Sequence, residues 1–444
     1  MPAVLEATRS LTRRAVRPET PARLRLLVVL VTAVAAALLV STSLLMARVQ
    51  SQVRTIGDVA APQAATAADL YFALSDMDAS AARMVLTGDN DALAGTQADA
   101  LGTYQQRSDQ VDADLQKSLT TATGAESRAI VLELLGHLAV YRERVWQTLT
   151  AGDAAPGYYT QATNVLHLDL LPAAQRLKNA SEGQLAEAYA GKRLTQGWAT
   201  GLAVVLGVVL AALLIGLQVW LARRFRRVLN PALLLATVLV VALLVPLTTV
   251  LSLQARWLGA ARDDSLTPFL ALSQARAISY DAAADTSRYL ISDNLAYYEQ
   301  DFATKSGCLG KGGGCGTGGG SITGGLSAVA GGSDVSPDAA GQVVSRWSAY
   351  ERDHKAIVAL ARQGRDAAAI DQLTGIRRGA AAFDFSYYDA AVARIADDRK
   401  AAFDDAMDDT ETLLTGWAVI PLVVLGLVML LVLVGVRRRL AEYR

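Results

Sequence analysis

Few residues of this chain could carry out chemistry, and they are scattered along it. The three histidines, His137, His167 and His354, do not have the spacing of a metal-binding motif. Nucleophile-elbow, kinase and Cys-x-x-Cys patterns are absent from the sequence. The sequence therefore predicts no catalytic, cofactor-binding or metal-binding residue, and we do not expect an enzyme.

The only two cysteines, Cys308 and Cys315, lie in a glycine-rich stretch, "GCLGKGGGCGTGGGSITGGLSAVAGG", at 307–332. On an oxidising side of a membrane they can close a small disulfide loop. A phosphate-binding loop would need a preceding strand and a Gly-Lys-Ser/Thr ending, and the sequence has neither. We therefore favour a flexible insertion closed once by a disulfide over a phosphate or metal site.

The elements that must position any site include membrane spans. The chain is 52% hydrophobic and only 19% charged, which is too apolar for a soluble protein of 444 residues. Four stretches are long and apolar enough to cross a bilayer: 24–46, 198–221, 229–253 and 413–436. A cleaved signal peptide is the alternative for the first stretch. Its length and the lack of a small-residue cleavage site favour a retained span.

Basic residues concentrate in the short segments that flank these spans. The segments 1–23, 222–228 and 437–444 are rich in arginine, whereas 47–197 and 254–412 are net acidic. The positive-inside rule therefore places both termini in the cytoplasm and the two long segments outside the cell membrane. The arginines either contact only anionic lipid headgroups or also dock a cytoplasmic partner. The candidate contacts are Arg223, Arg224, Arg226, Arg227, Arg437, Arg438 and Arg439.

The two halves of the chain repeat one pattern of basic segment, span, long segment and span. Three pairs of short matches follow the same order: "LTGDN" at 86–90 with "LISDN" at 290–294, "AVYRER" at 139–144 with "SAYERD" at 348–353, and "TQGWA" at 195–199 with "LTGWA" at 414–418. This order predicts an internal duplication.

Both long segments are predicted to be helical, since alanine is abundant and β-branched alternation is absent. Apolar residues step by three and four along three sets: Leu70, Leu74, Met77, Ala81 and Met84; Val131, Leu134, Leu138, Tyr141, Val145 and Thr148; and Val343, Trp347, Tyr350, His354, Ile357 and Ala361. Such seams favour helix bundles, and His354 is expected as a partnered core residue. The predicted fold class is an all-α membrane protein with four transmembrane helices and two extracytoplasmic four-helix bundles. The first and last helices of each bundle should continue unbroken into spans.

Polar turns at the membrane-distal tips of these bundles are the candidate partner-binding residues. They are Asp89, Asn90, Asp153, Asp293, Asn294, Arg365 and Asp366. The acidic run "DDRKAAFDDAMDD" at 397–409 is more typical of a solvated helix face than of a cation site. No substrate path is indicated in the spans, which are almost pure Ala, Leu and Val.

The layout resembles two known classes of bacterial proteins. The segment "YERDHKAIVALARQGRDAAAIDQL" at 350–373 resembles part of the four-helix-bundle sensor domains of chemoreceptors and sensor kinases. The doubled layout with small cytoplasmic ends is similar to the actinobacterial GlnX-type membrane proteins. That resemblance implies a relay from an extracytoplasmic solute-binding lipoprotein (GlnH-type) to a cytoplasmic serine/threonine kinase (PknG-type), with amino-acid availability as the signal.

The leading functional hypothesis is a non-enzymatic transmembrane signal relay in the cell membrane. Its expected partners are the lipid bilayer, the lipoprotein and the kinase, with a homodimer left open and no nucleic acid or cofactor. Two alternatives remain: a structural or accessory subunit that scaffolds an envelope or transport complex, and a direct small-molecule sensor.

Overall fold

A computed structural model describes residues 20–88, 90–122, 124–225, 230–316, 320–332, 335–417 and 419–441. These residues are almost entirely helical, which confirms the predicted all-α class. The chain forms two compact units. The span unit holds 20–55, 188–259 and 407–441, and the bundle unit holds 56–187 and 260–406.

The described residues of the first half form six α-helices with short turns between them. In chain order these elements are α1 (Thr20–Arg54), a π-helical turn (Thr55–Ala60), α2 (Ala61–Thr87), a 3-10 turn (Asp91–Leu93), α3 (Ala94–Thr121), α4 (Ala125–Thr150), a 3-10 turn (Gly152–Ala154), α5 (Ala155–Val165), a π-helical turn (Leu166–Leu170) and α6 (Leu171–Phe225).

The second half repeats much of this order and adds a small β-ladder. Its elements are α7 (Pro231–Ala260), a π-helical turn (Ala261–Leu266), α8 (Thr267–Ile291), α9 (Ala296–Lys311), β1 (Gly313–Gly314), β2 (Ser321–Ile322), α10 (Gly325–Ala330), α11 (Pro337–Arg362), α12 (Asp366–Thr374), α13 (Ala381–Leu414) and α14 (Ile420–Ala441).

Four helices in the described ranges are long and apolar enough to cross a membrane. Counted through the π turns as continuous helical stretches, they are Arg25–Thr87 (α1 and α2), Thr200–Arg223 (in α6), Pro231–Ile291 (α7 and α8) and Ile420–Arg437 (in α14). Within the span unit, α1, α6, α7 and α14 share one core of Val, Leu and Ala side chains. A hydrogen bond also joins α6 to α7: Gln218 Nε2 donates to Thr237 Oγ1 at 3.0 Å.

The predicted fourth span, 413–436, is not one helix. Helix α13 ends at Leu414, and α14 begins at Ile420 after a turn in which Gly416 has a φ of +86°. A left-handed residue of this kind ends a helix, and glycine adopts it without steric cost. The last bundle helix therefore does not run unbroken into a span, contrary to the prediction. The other three junctions are helical throughout.

Each of the three π-helical turns ends two residues before a proline, at Pro62, Pro172 and Pro268. Proline has no N–H and its ring crowds the carbonyl one turn earlier, so a normal α-helical ladder cannot pass through it undisturbed. A single turn with the wider hydrogen-bond spacing of a π-helix accommodates the proline, and the α-helix continues after it. Two of the turns, Thr55–Ala60 and Ala261–Leu266, occupy matching places in the two halves.

Helices α2 and α8 form the centre of the bundle unit. Each packs against the other, and α3 and α9 pack on their outer sides. Side chains on every face of both helices are buried. All the residues of the three predicted seams are buried, including His354, so the seams are confirmed. The two predicted bundles therefore share one compact unit.

The glycine-rich stretch at 307–332 is folded where it is described. Its first residues, up to Lys311, still belong to α9, and β1 then pairs antiparallel with β2. A disulfide joins Cys308 to Cys315 over a Cα–Cα distance of 5.2 Å. Both cysteines and Ile322 are buried, so the insertion packs into the unit rather than extending from it.

Candidate functional site

A buried ion cluster joins the two central helices. Arg288 of α8 reaches Asp78 of α2, with Nη2 2.5 Å from Oδ2, and its Nη1 lies 3.0 Å from Asp281 Oδ1 and also contacts Asp285. The Arg288 side chain is 1% exposed and that of Asp78 is 0% exposed. Because a buried charge is stable only when paired, these contacts hold α2 and α8 in one register.

Lys305 of α9 supplies the second buried cation of this cluster. Its Nζ lies 2.7 Å from Asp281 Oδ2, 2.7 Å from Asp285 Oδ2 and 2.8 Å from Asp301 Oδ2. Burial opposes the charge of Lys305, but Asp281 and Asp285 outweigh it and hold the lysine pKa above its ordinary value. The cation is therefore permanent at physiological pH.

Three further side chains from the first half close the cluster. The Tyr141 hydroxyl donates to Asp78 Oδ1 at 2.9 Å, and the Tyr159 hydroxyl lies 3.3 Å from Asp78 Oδ2. His167, in the second π turn, places Nε2 3.0 Å from Asp281 Oδ1 and Nδ1 3.0 Å from the Thr163 carbonyl. His167 therefore ties the second π turn to Asp281 of α8.

The acidic members of the cluster titrate differently. Burial would raise the pKa of Asp281, but Lys305, His167 and Arg288 together lower it well below its ordinary value. Burial raises the pKa of Asp285 to about 6, against the opposing charges of Lys305 and Arg288. Burial thus favours the neutral form of Asp285, whereas Lys305 and Arg288 favour its charged form.

A cavity of about 220 Å³ lies beside this cluster, between α2, α8, α11, α12 and α13. Six of its fourteen lining residues are alanine, and Tyr280, Tyr350, Phe385 and Arg83 are among the others. Tyr280 packs edge-on against Phe385, with ring centroids 4.8 Å apart. Helices from both halves of the chain thus build one cavity.

Two ion pairs lie on or against the helices that line the cavity, and Asp389 of one pair is itself a lining residue. Arg276 makes two contacts with Asp389, at 2.5 and 2.8 Å, and Arg107 Nε lies 2.6 Å from Asp76 Oδ2. Both arginines also lie against the ring of Phe72, at 4.2 and 4.9 Å from its centroid. Burial raises the pKa of Asp76, although Arg107 opposes this effect.

Arg83 differs from these paired arginines. Its nearest carboxylate oxygen, Asp76 Oδ1, is 3.9 Å from Nη2, and its other contacts are 3.4 Å to the Ala79 carbonyl and 3.3 Å to Ser80 Oγ. The Arg83 side chain is about one-third exposed, at 34%. It is therefore a cation at the cavity whose hydrogen-bonding capacity is only partly used.

The predicted tip residues lie on separate turns. Asn90, Asp153, Asp293, Arg365 and Asp366 are exposed, and Asn294 is half-buried. Asn90 caps the following 3-10 turn, and Asp293 and Asn294 have φ of 54° and 69°, which Asp and Asn tolerate better than most residues. Asp89 lies outside the described residues. These positions are turn residues, and their part in binding a partner stays a prediction.

The predicted cytoplasmic arginines are described only in part. Arg223 and Arg437 are exposed. Arg226 and Arg227 lie outside the described residues, as do the side chains of Arg224, Arg438 and Arg439. The acidic run at 397–409 presents its aspartates to solvent, as predicted.

The ion cluster and the cavity were missed in the sequence, although a signal for them exists. The stretches "AADLYFALSDMDASAARMVL" and "ALSQARAISYDAAADTSRYLI" have small or apolar residues on every helical face. A helix of that kind is buried all round, so charges inside it must be paired in the interior. The partners themselves could not be found, because Asp78 and Arg288 come from opposite halves of the chain.

Comparison with known proteins finds one family match, in the first half of the chain. A family model described as Actinobacterial sensor domain matches residues 52–190. No curated protein and no solved structure matches the chain. The match supports an actinobacterial sensor protein whose function is signal sensing or relay.

Proposed function

We propose that this chain is a non-enzymatic transmembrane sensor that relays an extracytoplasmic event to the cytoplasm. The observation that carries the proposal is the pairing of α2 with α8 through the buried ion cluster. Helix α2 continues through a π turn from α1, and α8 continues through a π turn from α7. A shift between α2 and α8 is therefore passed along continuous helices into two of the spans.

The physical requirement for such a relay is a pair of discrete arrangements with similar free energies. Packed helices shift by about 1–2 Å between such arrangements. A stimulus biases them only by its differential affinity for the two states. The matching π turns in the two halves give both central helices the same kind of adjustable joint, which also supports the predicted internal duplication.

The expected topology places both termini in the cytoplasm and the bundle unit outside the cell membrane. The arginine-rich segments support this orientation through the positive-inside rule. The resemblance to GlnX-type proteins adds partners to the proposal: a solute-binding lipoprotein at the exposed tips, a serine/threonine kinase at the arginines, and amino-acid availability as the signal.

Cysteine cross-linking tests the relay directly. An ideal Cβ on Gly207 of α6 would lie 2.4 Å from Cδ1 and 3.0 Å from Cγ of Leu244 on α7, so these positions face each other and suit a pair of cysteines for cross-linking. We expect Asp78→Asn, which removes one charge from the cluster and keeps its shape, to change the rate of this cross-link in membranes at least about twofold.

The matched control is Asp112→Asn, because Asp112 pairs with Arg142 at the surface, with 43% of the Asp112 side chain exposed. It should leave the cross-linking rate unchanged. Equal rates in the unmodified chain, Asp78→Asn and Asp112→Asn, with correct folding of each, would instead favour the scaffold alternative.

A further inference from the structure

We propose that the cavity binds a small organic carboxylate with an apolar or aromatic body, and that Arg83 holds its carboxylate group. This inference rests on the proposed function, because it identifies the chemical class of the stimulus that a sensor would detect.

The charge around the cavity favours an anion. Among the residues that line it, Arg83 and Asp389 are charged, and Asp389 is already paired with Arg276 at 2.5 and 2.8 Å. Arg83, in contrast, has no contact to a carboxylate closer than 3.9 Å. A bound monoanion would pair with Arg83 and could form the bidentate contact that guanidinium groups prefer.

The walls of the cavity specify the rest of the ligand. Ala79, Ala283 and Ala382 leave the space open, and Tyr280, Tyr350 and Phe385 line it with aromatic rings. An apolar cavity of about 150 Å³ is large enough for benzene. The volume of about 220 Å³ therefore has room for about nine non-hydrogen atoms. An apolar body of that size would bury its surface against alanine and aromatic side chains.

The position of the cavity links binding to the relay. Ala79 and Arg83 belong to α2, whereas Tyr280, Ala283 and Ser287 belong to α8. A ligand between them contacts both central helices at once. Its binding free energy would therefore depend on the spacing of α2 and α8, which is the differential affinity that a sensor needs.

Calorimetric titration of the full-length protein in detergent tests this assignment with defined probes. We expect phenylacetate and 4-methylpentanoate to bind. We expect 2-phenylethanol, which lacks the charge, and 2-phenylethylamine, which reverses it, to bind at least about tenfold more weakly. L-Phenylalanine and L-leucine distinguish free amino acids from simple acids as the source of the carboxylate, and binding of either set supports the proposal.

Two variants locate the site. Arg83→Gln should weaken phenylacetate binding roughly 10- to 100-fold, the usual effect of losing a charged hydrogen bond. Ala382→Leu should weaken it by filling the cavity while leaving Arg83 intact. Arg144→Gln is the matched control, since Arg144 is also half-buried but bonds Gln147 on α4, away from the cavity.

Three results would overturn the assignment: no binding of any carboxylate at millimolar concentration, equal binding of 2-phenylethanol, or unchanged binding in both Arg83→Gln and Ala382→Leu. None of these results would test whether the protein relays a signal, because the cross-linking between positions 207 and 244 is measured without added ligand. A negative cross-linking result would conversely leave the binding measurements intact.

Discussion

At the residue scale, the bundle unit depends on charges that are buried and shared. Asp281 and Asp285 would repel each other in the interior, and they are tolerated because Arg288 and Lys305 lie between them. Such an arrangement adds little net stability compared with an apolar core, but removing one partner leaves an uncompensated charge. The ion cluster instead determines which side chains of α2, α8 and α9 contact each other.

We expect Lys305→Met to lower the free energy of unfolding by about 3–5 kcal/mol, because three carboxylates lose their shared cation. Chemical denaturation followed by circular dichroism measures this change. The control is Lys400→Met, since Lys400 and Asp404 form an exposed pair with side chains 48% and 55% exposed. That change should cost about 0.5 kcal/mol or less. Similar effects of the two substitutions would contradict a buried, shared cation.

His354 gives the protein a defined sensitivity to acid. It is 3% exposed, its Nδ1 lies 2.9 Å from Thr286 Oγ1, and its ring stacks on Phe302 with centroids 3.5 Å apart. Burial lowers the His354 pKa to about 3. The unfolded chain, with an ordinary histidine pKa of about 6.5, therefore binds a proton that the folded chain excludes.

This histidine should cost stability as the pH falls below about 6.5. Relative to His354→Gln, we expect the unmodified protein to lose up to about 1.4 kcal/mol per pH unit between pH 6 and 4. Denaturation midpoints at several pH values measure the difference, with the half-buried His137 changed to Gln for comparison. A difference between unmodified protein and His354→Gln that stays constant with pH would show that His354 is not held neutral.

At the element scale, the helix seams were predictable, whereas the π turns and the break between α13 and α14 were not. The seams followed from apolar residues at spacings of three and four, a pattern that burial alone imposes. The π turns depend on Pro62, Pro172 and Pro268, and a proline in a helical pattern predicts a disturbance without its form. The motif Gly-Trp-Ala occurs at both Gly197 and Gly416, yet only Gly416 lies in a break between helices, so these three residues do not by themselves decide the conformation.

Substitution by alanine at Gly416 and at Gly197 should change the stability of the protein in opposite directions, which tests the difference between the two positions. Gly416→Ala should destabilise the protein by about 1 kcal/mol, since alanine strains at a φ of +86°. Gly197→Ala should stabilise it by up to about 1 kcal/mol, because Gly197 is helical and a Cβ there meets no atom within 4 Å in the described structure. Unfolding of both variants by denaturant gives the two signs, and stabilisation by Gly416→Ala would mean that the α13–α14 break is not required.

At the scale of the whole molecule, the sequence predicted a separate helical bundle in each half, and the structure packs the helices of both halves into one bundle unit. Composition and hydropathy predicted the helical class and four apolar helices, because bilayer thickness and helix geometry set span length almost without regard to the rest of the sequence. The cavity was not predictable in this way. Its residues, such as Arg83, Tyr280 and Phe385, come from distant parts of the chain, and only the packing of α2 on α8 brings them together.

The most direct test of the relay is the distance between α1 and α7, measured by electron spin resonance on the full-length protein in nanodiscs. Spin labels at Arg25→Cys and Leu234→Cys report on these helices at exposed positions, and the two native cysteines are already joined to each other. We expect Asp78→Asn to shift the mean distance by about 1–2 Å and Asp112→Asn to leave it unchanged. An identical distance distribution in all three proteins would contradict coupling of the buried ion cluster to the spans.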